Sequence, residues 1–345
     1  MPSDIDPARA VHIIRAERDG RPAPSPEACQ KIQTERQVLS NAAERALGGP
    51  RTMFAKTGNV WLDELTGGIE PGLNWVVAAQ SGFGKSTLAA AIADENLGVR
   101  KVLIGSTEDV SHLYGRRILC RRTRVNAKRF KWGKLYDHEK EQVREALKKA
   151  RELPLFIDWN GVTAEQIARD IAGYTNRDGK RVPGVVEQHG IEIVLLDWLG
   201  KIPTDKRCAD PRERVAHAYD CASRACKQIG CALVVFSQVT PDGQAPSMGW
   251  IRDSKDVGHL SDVCILGICK DEKEADGTLI SRERKFLAAK VKDEEAGKSV
   301  PTGWENDSAS FQPLRKIERE EPPADLFEFP DDLSRAAGDY EEQWP

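Results

Sequence analysis

The residues with the clearest chemical purpose lie between Ala79 and Thr87, read Ala79-Gln80-Ser81-Gly82-Phe83-Gly84-Lys85-Ser86-Thr87. An apolar stretch, Leu73-Asn74-Trp75-Val76-Val77, precedes them, and Leu88-Ala89-Ala90-Ala91-Ile92-Ala93 follows. Strand, glycine-bearing loop and helix in that order make a phosphate cradle: backbone N–H groups turn inward and the helix N-terminus adds its positive dipole end. In such a cradle Lys85 reaches the β- and γ-phosphates and Ser86 ligates Mg²⁺, so a bound nucleoside triphosphate with Mg²⁺ is expected. Ala79 stands where the commonest form of the motif has its first glycine.

Phosphate chemistry needs further groups, and the ends of apolar runs offer them. Leu195-Leu196-Asp197 closes a run with a carboxylate placed to hold the metal or its water. Asp158 also ends an apolar run, but a helical stretch, Thr163 to Ala172, begins just beyond it, which suits a turn or capping role. Glu108, after Val102-Leu103-Ile104-Gly105-Ser106-Thr107, is the candidate base; with Asp109 it also suits a helix N-terminus. Gln238, after Phe236-Ser237, is an uncharged amide at a strand end, able to sense the γ-phosphate.

The elements that must position these groups alternate along the chain. Strand candidates are 101–104, 155–157, 191–196 and 231–236, whose near-continuous apolar runs suit strands buried on both faces. Val215, Ala218, Ala222, Ala225 and Ile229 recur at spacings of three and four, the stripe of a helix packed on a sheet. The alternation predicts an α/β fold with a mostly parallel sheet, ligands at the carboxyl ends of strands, and an antiparallel extension from 263–268 and 286–291 around the polar turn 276–278.

These segments resemble the RecA-like P-loop ATPases, and most closely the motor domain of DnaB-type replicative helicases. The resemblance rests on Thr66-Gly67-Gly68-Ile69-Glu70-Pro71-Gly72, the cradle, Ser106-Thr107-Glu108, Leu196-Asp197-Trp198-Leu199, Ser237-Gln238 and Ala289-Lys290-Val291-Lys292. It implies that Glu108 is the catalytic base, that Asp197 is the metal-side acid, and that Gln238 links the γ-phosphate to a DNA-contacting loop. Lys290 and Lys292 would then be positive fingers to the next subunit's nucleotide. Lys292 stands where the family usually has Arg, and a lysine supplies a point charge without the planar fork. The resemblance also implies single-stranded DNA as partner, held by the loops after the Asp197 and Gln238 strands through Lys201, Lys206, Arg207, Arg212, Arg252 and Lys255. Assembly as a hexameric homo-oligomer is expected, with a primase, loader or single-strand-binding protein as further partner. A recombinase-like strand-exchange ATPase, or a slowly hydrolysing regulatory or loading module, remains an alternative.

Three regions follow from composition: an arm with one helical stretch at 1–50, the motor at 51–316, and an acidic tail at 317–345 that reads as disordered. The family's globular N-terminal domain has no counterpart in the arm, as expected of a short helicase encoded by a mobile element or virus. The net charge of −3 divides into −8 for residues 318–345 and +5 for the rest, an asymmetry suited to binding nucleic acid. A denser basic stretch with Phe130 and Trp132 runs from Gly115 to Lys134, and a solvated helix face with a packed connector explains it better than a base-stacking platform. The eight cysteines form no Cys-x-x-Cys pair and read as small buried hydrophobes in a reducing compartment. No apolar run approaches the roughly 18 residues of a membrane span, and Met1-Pro2-Ser3-Asp4 opens no signal peptide, so a cytoplasmic place in a bacterial or virus-infected cell is expected.

Overall fold

The computed structural model describes residues 54–149, 155–240, 246–251, 255–273, 279–292 and 296–314. The expected arm and tail, Arg252 and the turn at 276–278 lie outside the described residues.

Eight strands form one sheet: β1 (Asn74–Ala79), β2 (Val102–Ser106), β3 (Leu155–Asp158), β4 (Ile193–Asp197), β5 (Ala232–Gln238), β6 (Val263–Lys273), β7 (Leu279–Val291) and β8 (Ser299–Pro301). Their spatial order is β8-β7-β6-β1-β5-β4-β2-β3. The six from β6 to β3 are parallel, whereas β7 and β8 add antiparallel. This is the mostly parallel sheet with an antiparallel extension that the sequence predicts, though β6 and β7 run well past the apolar cores that mark them.

Every residue of β1, β2 and β4 is buried, because the alternating side chains enter two separate cores. On one face Val76, Ala78, Val194 and Leu196 meet α4 (Ala164–Ala172) and α5 (Pro211–Ile229); on the other Trp75, Val77 and Leu195 meet α1 (Lys85–Asn96) and α2 (Ser111–Thr123), against which α3 (Asp137–Lys149) packs. β3 departs from the expectation of burial on both faces: it is the sheet's edge, and Leu155 is exposed.

The local causes of the helices are visible in their caps. Asp210 caps α5, Pro211 opens it and Gly230 closes it in the left-handed region. Val215, Ala218, Ala222 and Ala225 of its stripe are buried, with Ile229 half-buried against them. Thr163 caps α4, accepting from the Gln166 N–H. Asp158, the weaker metal candidate, accepts from the backbone of Asn160 at 2.9 Å, which is a turn role. Among the described residues no helix is long and apolar enough to cross a membrane.

Candidate nucleotide site

The cradle follows β1 at the carboxyl end of the sheet. Gly82 and Gly84 have φ of 78° and 103°, a region that L side chains rarely adopt, so the loop's course depends on both glycines. Phe83, between them, turns inward and is fully buried against Phe286 and Phe311, at ring-centroid distances of 5.4 and 5.6 Å. Arg284 of β7 donates to the carbonyls of Phe83 (3.1 Å) and Gly82 (3.3 Å) while stacking on Trp304 at 3.7 Å. The loop is therefore pinned by one buried aromatic ring and by an arginine that occupies two of its carbonyls.

Ala79 fits because its neighbour on β6 has no side chain. A Cβ on Gly267 would lie 2.7 Å from the Ala79 Cβ and 2.8 Å from the Phe83 ring. Of the nine cradle residues, Ser81, Gly82, Gly84, Lys85, Ser86 and Thr87 line a cleft of ≈370 Å³; Ala79 and Phe83 are core, and the Gln80 side chain accepts from the Cys269 N–H at an adjoining hollow.

Glu108, Asp197 and Gln238 line the same cleft as Lys85 and Ser86. Sheet register explains this, since Ser106 pairs with Asp197 and Ala79 with Gln238. Thr107 locks the two acid-bearing strand ends, its N–H donating to the Asp197 carbonyl at 2.8 Å and its hydroxyl to the Trp198 carbonyl at 2.8 Å. The Ser106 hydroxyl accepts the backbone N–H groups of Glu108 (3.3 Å) and Asp109 (2.9 Å), setting where Glu108 starts.

Asp197 is buried, with Tyr114 donating to Oδ2 at 2.6 Å and the Ser86 hydroxyl bonded to the same carboxylate. Burial raises its pKa, opposed by those two hydrogen bonds and by the charges of Arg117 and Lys85. Burial likewise lowers the pKa of Lys85, against the pull of Asp197 and Glu108. Glu108 pairs with Lys201 at 2.8 Å, both side chains being about half exposed.

Arg117 and Tyr114, both on α2, were not singled out by sequence reasoning. Arg117 lines the cleft, donates to Asp109 at 2.6 Å, and has a buried Nη1 with no hydrogen-bond partner among the described residues. An arginine lining the same cleft as Lys85, Glu108 and Asp197 makes a donor set suited to an anionic phosphate with a divalent cation. The basic stretch around it has other work: Arg121 is buried between Asp94 and Glu95, and Arg129 holds Glu139. Trp132 is exposed.

Lys290 and Lys292 stand away from this cleft. Val291 pairs with Val263, level with Trp75 at the opposite end of β1. Lys290 donates to the carbonyls of His259 (2.6 Å) and Ser261, and Lys292 pairs with Asp262 at 3.3 Å. Of the nucleic-acid candidates, Lys206 pairs with Glu213 at 3.0 Å, Arg207 and Arg212 are exposed, and Lys255 opens the short helix Lys255–Leu260. Arg214, at the end of the same loop, instead donates to the carbonyls of Gly200 and Ile202 and braces the loop's start.

Residues 55–312 match the family described as DnaB-like helicase C terminal domain. The chain belongs to that family. Among curated family members, it is 26% identical over 230 residues to the replicative DNA helicase DnaB of Treponema pallidum (strain Nichols), covering 65% of this chain and 50% of that protein. To the replicative DNA helicase DnaB of Leifsonia xyli subsp. xyli (strain CTCB07) it is 24% identical over 220 residues, covering 61% and 45%. The chain thus spans about half the length of the curated relatives it matches. Its fold matches a solved structure described as an ATPase domain with a TM-score of 0.69 at 16% identity, covering 83% of this chain and 100% of that one. A DnaB-like replicative helicase described with its interactions with primase matches with a TM-score of 0.63 at 16% identity, covering 83% and 68%.

Proposed function

We propose that this chain is the motor of a DNA helicase that hydrolyses ATP while moving along single-stranded DNA. The observation that carries the reading is the convergence of Lys85, Ser86, Glu108, Asp197 and Gln238 on one cleft that Arg117 also lines. Lys85, Arg117 and the loop N–H groups bind the phosphates. Ser86 and Asp197 would hold Mg²⁺, which would neutralise charge on the phosphates. Glu108 orients and deprotonates the attacking water, and Gln238 relays the state of the γ-phosphate to the chain that follows β5.

In this reading Lys290 and Lys292, which lie at the far end of the sheet from their own cleft, serve the cleft of an adjacent copy in a head-to-tail ring, a hexamer by analogy with the family. DNA runs along the segments after β4 and β5, where Lys201, Lys206, Arg207, Arg212, Arg252 and Lys255 grip phosphates. A primase, loader or single-strand-binding protein is the expected further partner, and a short helicase of a mobile element or virus the expected setting. The Lys201–Glu108 pair favours a second reading, a slowly hydrolysing loading module in which the base is held back.

Strand separation on a forked duplex, measured with ATP turnover, tests the choice. A DNA-stimulated ATPase that unwinds the fork, both activities lost in Lys85→Ala, supports the helicase; slow turnover without unwinding supports the loading module. Turnover unaffected by Lys85→Ala overturns both.

A further inference from the structure

We infer that Glu165, His217 and Cys221 form a second, soft-metal site, taking one zinc-class divalent ion per chain, separate from the nucleotide cleft. His217 and Cys221 stand four residues apart on α5 and so project from the same face. Glu165 projects from the first turn of α4, which packs against α5. One ligand atom from each of the three lies within 4.8 Å of the other two, and all three residues are half-buried.

The spacing suits tetrahedral coordination. Zinc bonds of about 2.3 Å to sulfur and about 2.0–2.1 Å to nitrogen put those two atoms roughly 3.5 Å apart at the tetrahedral angle. Cys221 Sγ and His217 Nε2 are 3.6 Å apart. His217 Nε2 and Glu165 Oε1, at 2.7 Å, must separate by about half an ångström to admit an ion between them. The carboxylate is already oriented: Glu165 accepts the backbone N–H of Asp205 at 2.9 Å and of Lys206 at 3.3 Å, the outer support that ligating carboxylates require. One nitrogen, one sulfur and one oxygen make a set for a borderline-soft ion, with water at the fourth position; the cleft offers Ser86, Asp197 and Glu108, all oxygen donors suited to Mg²⁺. Without an ion, the one Nε2 of His217 is the hydrogen-bond partner of both Glu165 Oε1 and Cys221 Sγ, and a single N–H directed at the carboxylate cannot serve the thiol equally, whereas a shared ion would join all three. Because Glu165 also holds the backbone at Asp205 and Lys206, an ion here would tie α4 and α5 to the segment carrying Lys206 and Arg207.

The test uses the full chain, freed of metal with a chelator and titrated with Co²⁺. The expected result is one equivalent bound with the intense visible bands of tetrahedral cobalt and a near-ultraviolet thiolate-to-cobalt band, both displaced by Zn²⁺. The thiolate band should vanish in Cys221→Ser and His217→Gln, and persist in Cys269→Ser and Asp197→Asn. In the unaltered chain, which avoids any folding defect of a variant, Zn²⁺ should slow alkylation of Cys221 at least about tenfold, since a metal-bound thiolate no longer acts as the free nucleophile; chelator should restore the rate. A cobalt spectrum without a thiolate band, a band surviving Cys221→Ser, or alkylation indifferent to Zn²⁺ would overturn the site and leave the Glu165–His217 pair.

Discussion

Asp197→Asn should separate stability from ligand binding. The carboxylate is 4% exposed, holds Tyr114 at 2.6 Å and the Ser86 hydroxyl, and has its pKa raised by burial. Asparagine keeps both partners as neutral hydrogen bonds, at a loss of roughly 1 kcal/mol for each charge-assisted bond replaced. Removing the buried charge returns several kcal/mol of desolvation, offset in part by the lost attraction to Arg117 and Lys85, and the raised pKa gives the sign of the balance. The net is about 1–3 kcal/mol in favour of the variant, a melting temperature about 2–8 °C higher at neutral pH. With an ATP analogue and Mg²⁺ the order should reverse, because wild type gains ligand stabilisation and the variant cannot hold the metal. The pH dependence has a definite sign. Where the folded pKa lies above the unfolded value of 3.8, stability falls as pH rises from 3.8 through the folded pKa. The variant's advantage should therefore shrink as pH falls through the raised pKa and vanish below 3.8, where Asp197 is neutral in both states. Thermal melts across pH measure this, and a ligand-free variant that melts below wild type at pH 7 would refute the reasoning.

Other perturbations probe the neighbours of that carboxylate. Arg117→Met removes the guanidinium that lies over the Tyr114 ring and lines the cleft, and should weaken nucleotide binding about 10–100-fold by titration with a fluorescent analogue; unchanged affinity would remove Arg117 from the site. Lys201→Met releases Glu108 from a half-exposed ion pair worth about 0–1 kcal/mol, so turnover without DNA should rise up to about fivefold. The same variant should lower the salt slope of single-stranded DNA binding by about 0.7 if Lys201 grips a phosphate. Gly84→Ala places a Cβ at φ 103°, 3.0 Å from the Trp304 ring, and should cost about 1–3 kcal/mol in thermal unfolding along with nucleotide binding.

What was legible in the sequence is what is local. The cradle declares itself through Gly82, Gly84, Lys85 and Ser86 in one run, and Glu108, Asp197 and Gln238 end apolar strands that a parallel sheet brings to one side. Arg117, which lines the cleft, and Tyr114, which holds Asp197 from the core, were hidden because they come from a helix whose basic character resembles a solvated face. Arg284 comes from β7, far along the chain, and its hold on the Gly82 and Phe83 carbonyls depends on register alone. Ala79 looked like a departure until Gly267, its register partner on β6 but distant in sequence, supplied the room. The edge position of β3 was equally invisible, since an apolar run does not say which strand ends the sheet.

The most direct measurement compares steady-state ATP turnover of wild type and Glu108→Gln, each with and without single-stranded DNA, alongside nucleotide affinity. The expected result is DNA-stimulated turnover in wild type, and in the variant retained nucleotide binding with turnover reduced at least about a hundredfold in both conditions. Full turnover in Glu108→Gln, or a wild-type rate indifferent to DNA, would contradict the assignment of this cleft as the motor of a helicase.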